Sequence, residues 1–132
     1  MISNRVVCRY RDGQMVKGTT RDFLASKTVF HLHVDGDETK PAVTVSTSDL
    51  KAVFFVKTFE GNSQHFEGIS FEEAKGHGKK IFVTFADGEL LAGFATGYDL
   101  SKPGFFLFPV DAEGNNDRVF VIGSSVKAVR AV

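Results

Sequence analysis

The 132-residue sequence has no tryptophan, one cysteine, three prolines and no net charge, with 16 basic residues against 16 acidic. A lone cysteine, Cys8, excludes an internal disulfide framework and any all-cysteine metal site. No apolar run reaches the roughly 18 residues of a membrane span, and the opening "MISNRVVCRY" lacks the apolar stretch of a signal peptide. The expectation is a cytoplasmic chain with no membrane contact. Balanced charge removes the global signature of a nucleic-acid binder, although residues 1–57 carry nine basic and six acidic groups and residues 81–132 four and six. No Ser/His/Asp spacing, glycine-rich phosphate loop or carboxylate pair stands out, so an enzyme is not expected and no cofactor is implied.

What is abundant is phenylalanine, with 14 copies, inside a composition that is 42% hydrophobic. Disordered chains have few apolar residues and a large net charge, so this chain reads as folded. It also repeats itself. Asp12-Gly13 and Asp87-Gly88 are offset by 75 residues, and at that offset Gly18 meets Gly93, Ser26-Lys27 meets Ser101-Lys102, Phe30 meets Phe105 and Leu32 meets Leu107. After one added residue the offset becomes 76, where Val45 meets Val121, Ser48 meets Ser124 and Lys51-Ala52-Val53 meets Lys127-Ala128-Val129.

Each copy reads as β structure. Val6, Cys8 and Tyr10 alternate with polar positions, as do Ile81, Val83 and Phe85, the period of a half-buried strand. Asp-Gly then supplies the positive φ of a tight hairpin. A glycine inside the following strand, Gly18 or Gly93, marks a bulge or a sharp bend. Further strands follow in "VFHLHV" and "GFFLFPV", "AVTVST" and "RVFVIG", "LKAVFFV" and "VKAVRAV". Five short strands in some fifty residues suit a small barrel. The expected organisation is a first unit over 1–57, a linker over 58–80 and a second unit over 81–132. Within the linker, Ser70 and Glu73 have capping-box spacing, which predicts a short helix in "SFEEAK".

The order Asp87-Gly88, Gly93, Gly97-Tyr98-Asp99 and "FFL" resembles the first signature of the Sm-like fold, and "VIGSSVKAV", with Gly123, Val126 and Val129, resembles the second. The likeness covers most of 70–132 and extends more weakly to 5–56. It implies an all-β chain of two tandem Sm/SH3-like five-stranded barrels, with one pseudo-symmetric double barrel as the alternative. The phrases "KAVFFVKTFEG" and "GFFLFPVDAEGNNDRVFV" also resemble an uncharacterised bacterial domain family with no assigned activity. Sm-like uridine recognition resembles a pocket of asparagine and arginine. Here Pro103-Gly104 and Ile122 stand at those places, with Thr28 and Ser46 in the first copy, so base recognition lacks its polar contacts.

Several residues are candidates for chemistry. Asp99, Ser101 and Gly104 match half of the cyclic-di-GMP motif of PilZ-like barrels, and Lys75, Lys79 and Lys80 stand where the cationic half is wanted. Lysine lacks the planar fork of arginine, and the plainer account is an Asx turn. His31, His33 and Asp35 share a strand face at a spacing two metal ligands use, with His65 and His77 in the linker; zinc wants three or four converging ligands. Arg9, Arg11, Lys17 and Arg21 form a basic stripe for phosphate, RNA or an acidic partner. Cys8 lies on the inward side of its strand. Phe106 and Phe108 alternate outward from Phe105 and Leu107 and, with Phe54 and Phe55, need a cover: the other copy, the linker or a second chain. The functional expectation is a cytoplasmic bacterial binding or adaptor module acting through protein contacts or self-association. Cyclic-dinucleotide binding is the runner-up, and RNA binding the third reading.

Overall fold

Alternating apolar residues in the first half produce β1 (Asn4–Tyr10), β2 (Met15–Thr20), β3 (Val29–Val34), β4 (Val43–Ser46) and β5 (Leu50–Val56). The second half forms β6 (Lys79–Phe85), β7 (Leu90–Ala95), β8 (Gly104–Pro109), β9 (Asn116–Ile122) and β10 (Val126–Ala131). These come from a computed structural model that describes residues 2–61, 68–72, 74–111 and 113–132. A single 3-10 turn links β4 to β5 (Thr47–Asp49) and another links β9 to β10 (Gly123–Ser125). The chain is therefore all β, as its alternation predicts.

All ten strands join one antiparallel sheet in the order β10-β6-β7-β8-β9-β5-β1-β2-β3-β4. Its middle is the pair β5 and β9, with Ala52 opposite Val121, Val53 opposite Phe120 and Phe54 opposite Val119. All seven residues of β5 are buried, because this pair is covered on both faces. One core gathers Ile81, Val83, Phe85, Leu91 and Leu107 of the second half, and Ala52, Phe54 and Val56 enter it from β5. The other gathers Val6, Cys8, Phe30, Leu32 and Val53 of the first half, with Phe120 and Ile122 entering from β9. Each half thus completes the other's core. That is why "AVFFV" and "VFVI" are apolar on both strand faces, the pattern of a strand buried on both sides.

Among the described residues there is no α-helix. Of the expected short helix, Glu73 lies outside the described residues. Around it, Ser70 Oγ accepts from the Glu72 N–H at 3.2 Å and the Ala74 N–H donates to the Phe71 carbonyl at 3.1 Å, a local turn. A six-residue segment next to Gly76 has too few hydrogen bonds to offset helix nucleation. What this segment contributes is a ring: Phe71 stands edge-on to Phe82 at 5.3 Å and to Phe94 at 5.5 Å, covering the outer face of β6 and β7.

Candidate functional site

The loop between β7 and β8 holds the cyclic-dinucleotide candidates. Asp99 Oδ1 accepts from the Ser101 N–H at 2.9 Å and from its hydroxyl at 2.5 Å, the two bonds of an Asx turn. The Ser101 hydroxyl, then the Ser101 N–H, hold the Asp99 carboxyl below the usual carboxylate range. Gly104 opens β8 opposite Ile122, where a Cβ would lie 2.6 Å from the Phe120 ring; its role is close packing. Lys79 Nζ sits 5.7 Å over the Tyr98 ring, and Lys75 and Lys80 are exposed. The carboxylate and the hydroxyl face each other within the turn.

The basic stripe is dispersed. Arg9 lies 5.3 Å over the Phe54 ring. Arg11 donates to the Ser48 carbonyl at 2.5 Å and to Ser124 Oγ at 2.9 Å, tying together the two 3-10 turns. Lys17 Nζ donates to the Phe59 carbonyl at 2.5 Å, and Arg21 pairs with Glu38. Arg9 and Lys17 line one cavity of about 350 Å³, together with Met15, Phe54, Glu89 and Asn116. Its mixed lining has no strong charge of one sign.

Among the metal candidates, His31 Nδ1 is 2.6 Å from Asp22 Oδ2, and the His31 N–H donates to Asp22 Oδ1 at 2.9 Å. Partial burial raises the Asp22 carboxyl pKa, but these bonds outweigh it and leave the carboxyl low. His33 is half-buried with Nδ1 unpartnered, and Asp35 occupies the left-handed region at φ 56° in the β3–β4 turn. His65 lies outside the described residues, and His77 is exposed. Among the described residues no group of three His, Cys, Asp or Glu is placed to hold a metal. Cys8 is fully buried, and burial pushes its thiol up to about 12, far from a nucleophilic thiolate at neutral pH.

Two of the aromatics expected to need a cover, Phe54 and Phe106, are covered by the other half of the chain. Phe54 is buried in the core that β5 shares with the second half. Phe106 is half-buried against the first half's core: its ring is 5.1 Å from Phe120, 5.9 Å from Phe55 and 6.1 Å from Phe23. The outward face of β8 is the inward face of the other core, because the β5–β9 wall brings the first half against it. Arg118 roofs this cluster, 4.2 Å over Phe55 and 4.8 Å over Phe106. Phe108 alone stays open, 45% exposed. Phe108→Ser should therefore shift stability by no more than about 0.5 kcal/mol. Phe106→Ser should cost about 1–2 kcal/mol, part of the value of a fully buried ring. Parallel urea titrations of the two variants check the difference.

One residue escaped the sequence reading. Lys51 is 7% exposed in the central strand. Its Nζ is 2.7 Å from Asp87 Oδ2, also contacts Glu89 Oε1, and lies 4.7 Å over the Phe85 ring. Its carbonyl accepts from Ser125 Oγ at 2.7 Å. The Asp87-Gly88 hairpin of one half thus grips a buried ammonium of the other. A lysine inside "LKAVFFV", with "DGE" elsewhere in the chain, was the available signal. The Lys51 hydrogen bond, with the Glu89 N–H, holds the Asp87 carboxyl low. A lowered folded pKa contributes stability above the unfolded value, near 4, and loses it as pH falls through the folded value. Unfolding titrations below about pH 4 should show stability declining less steeply in Asp87→Asn than in the native chain.

Among the described residues β4 pairs only with β3 and β10 only with β6, so the sheet ends in two open edges. Val29 and Val43 are exposed at one end and Val132 at the other. No helix among the described residues is long and apolar enough to cross a membrane. Fold and surface together define an all-β protein with one ten-stranded sheet, two interlocked cores and two free strand edges. The chain belongs to a family of unknown function, DUF6982, whose model matches residues 2–132. No curated protein and no solved structure matches it.

Proposed function

We propose that the chain is a non-catalytic binding module that acts through protein contacts, made of two fused small barrels of the Sm/SH3-like kind that offer their strand edges to partners. The observation that carries this reading is the pair of open edges on β4 and β10. An unpaired edge presents a row of N–H and C=O groups that an extended segment of another chain satisfies. At β4 that row is flanked by Val29, 43% exposed, and Val43, 44% exposed.

The unit boundaries have their own support. Each half has the same local strand order, β5-β1-β2-β3-β4 and β10-β6-β7-β8-β9, with a 3-10 turn before its last strand. The starts of β1 and β6 are 75 residues apart, and those of β5 and β10 are 76. Strand segments carry recognition through backbone hydrogen bonds, with side-chain pockets adding selectivity. That division of labour fits a surface poor in converging polar groups.

Affinity capture from cells of the source organism tests the proposal, using the native chain and Val43→Lys as baits. A charge on an exposed edge residue disfavours strand addition without touching either core. A partner held by the native bait and lost from Val43→Lys is the expected result. Partners retained equally by both baits, or none by either, overturn the proposal.

A further inference from the structure

We propose that the occupant of these edges is a second copy of the chain, β10 of one molecule adding to β4 of the next in the register that β5 and β9 adopt inside the molecule. This rests on the reading of the edges as binding surfaces and names what binds them.

The chain carries the template for the joint. β5 and β9 are the last strand of the first half and the fourth strand of the second, and they pair antiparallel. Moving 76 residues along the chain turns Leu50 of β5 into Val126 of β10, and moving back turns Val119–Ile122 of β9 into Val43–Ser46, the whole of β4. Those two equivalents are the two strands left open at the ends of the sheet. Transposed, Ala52 opposite Val121, Val53 opposite Phe120 and Phe54 opposite Val119 become Ala128 opposite Val45, Val129 opposite Thr44 and Arg130 opposite Val43. A half already built to accept a neighbour on one side thus offers that side again, unfilled.

Charge follows the same transposition. Lys51 is gripped by Asp87 at the β6–β7 hairpin. Its equivalent, Lys127, is exposed and forms no ion pair among the described residues. The equivalent of Asp87 is Asp12, exposed in the β1–β2 hairpin, where its carboxylate accepts the Gln14 N–H at 2.9 Å and forms no ion pair among the described residues. In the joint, Lys127 of one molecule meets Asp12 of the next, as Lys51 meets Asp87 within one.

The outer joint is weaker than the inner one. Arg130, Ala131 and Thr44 replace Phe54, Phe55 and Phe120, so less apolar surface leaves water, and association is reversible and concentration-dependent. The contact is heterologous, since each molecule supplies one side of it to each neighbour, and such contacts close into rings or extend as filaments.

Sedimentation of the pure protein from micromolar to millimolar concentration, at low salt, tests the proposal. Mass rising with concentration is expected for the native chain. Val43→Lys places a lysine opposite Arg130, and like charges directly opposed across strands repel; its dissociation constant should rise about tenfold or more, equivalent to about 1.4 kcal/mol. Lys127→Glu should weaken association, and adding Asp12→Lys to it should restore it. Mixing Val43→Lys with Ala128→Asp should give dimers and nothing larger, because only one productive joint remains. Circular dichroism checks that each variant is folded, and Lys127→Glu stands in where Val43→Lys is not. A native chain that keeps its single-chain mass at every concentration overturns the proposal, as does association that the edge variants leave unchanged. Either outcome leaves the capture experiment, and the broader reading it tests, standing.

Discussion

Phe120→Ala is expected to lower the unfolding free energy by about 3–5 kcal/mol, the range for removing a large aromatic side chain from a core, in a domain whose stability is some 5–15 kcal/mol. Phe120 is fully buried. It sits on β9, yet its ring belongs to the first half's core, 5.1 Å from both Phe23 and Phe106. Across the sheet its backbone pairs with Val53. Truncation therefore opens a cavity at the wall where the two halves meet, and neither half can collapse to fill it without moving the other. Unfolding followed separately by far-ultraviolet circular dichroism and by a probe in each half should show one shared transition at reduced stability. Two separated transitions would contradict the interlocking of the cores.

The same wall explains what was legible in the sequence and what was not. The strands themselves were, because alternation such as Val6, Cys8, Tyr10 and the Asp-Gly hairpins are local signals. The way the halves join was not. It depends on β5 meeting β9, strands more than sixty residues apart whose pairing leaves no local period. The nearest trace was a strand apolar on both faces, "AVFFV", which asks for a cover and leaves open whether the other copy, the linker or a second chain supplies it. Phe106 shows what alternation alone leaves open: outward for its own half, it is covered by the other, one of the three covers its position allowed. Lys51 shows the converse, since a lysine in a strand reads as solvated until the Asp87 hairpin is folded against it.

For the site, the same locality limits what a motif can establish. Asp99 and Ser101 bond within one turn, and the arginines of the basic stripe go to Phe54, Ser48 with Ser124, and Glu38. Residue types predicted the surface inventory. They did not predict which groups converge, because convergence is a property of the sheet's bends.

Those bends underlie the last expected result: Gly93→Ala should abolish the fold or cost about 4 kcal/mol or more, in the range reserved for severe core and backbone disruption. A Cβ at Gly93 would lie 2.5 Å from the Phe108 carbonyl oxygen and 2.7 Å from Leu107 Cγ. The first is backbone and cannot rotate away; the second belongs to a fully buried side chain. Relief requires β7 and β8 to part where Gly93 faces Pro109 and Phe94 faces Phe108, which opens the second core. Gly18, 75 residues earlier, meets the same obstacle, with Leu32 Cγ at 2.8 Å. Gly88→Ala is the informative control. Gly88 has a φ of +92° but nothing within 4 Å of an added Cβ, so the change should cost only the about 1–2 kcal/mol of a left-handed L-residue. Urea titrations of both variants separate the two roles, a turn that tolerates strain and a bend that admits no side chain. Gly93→Ala with near-native stability would mean that β7 and β8 do not approach as closely as the bend requires.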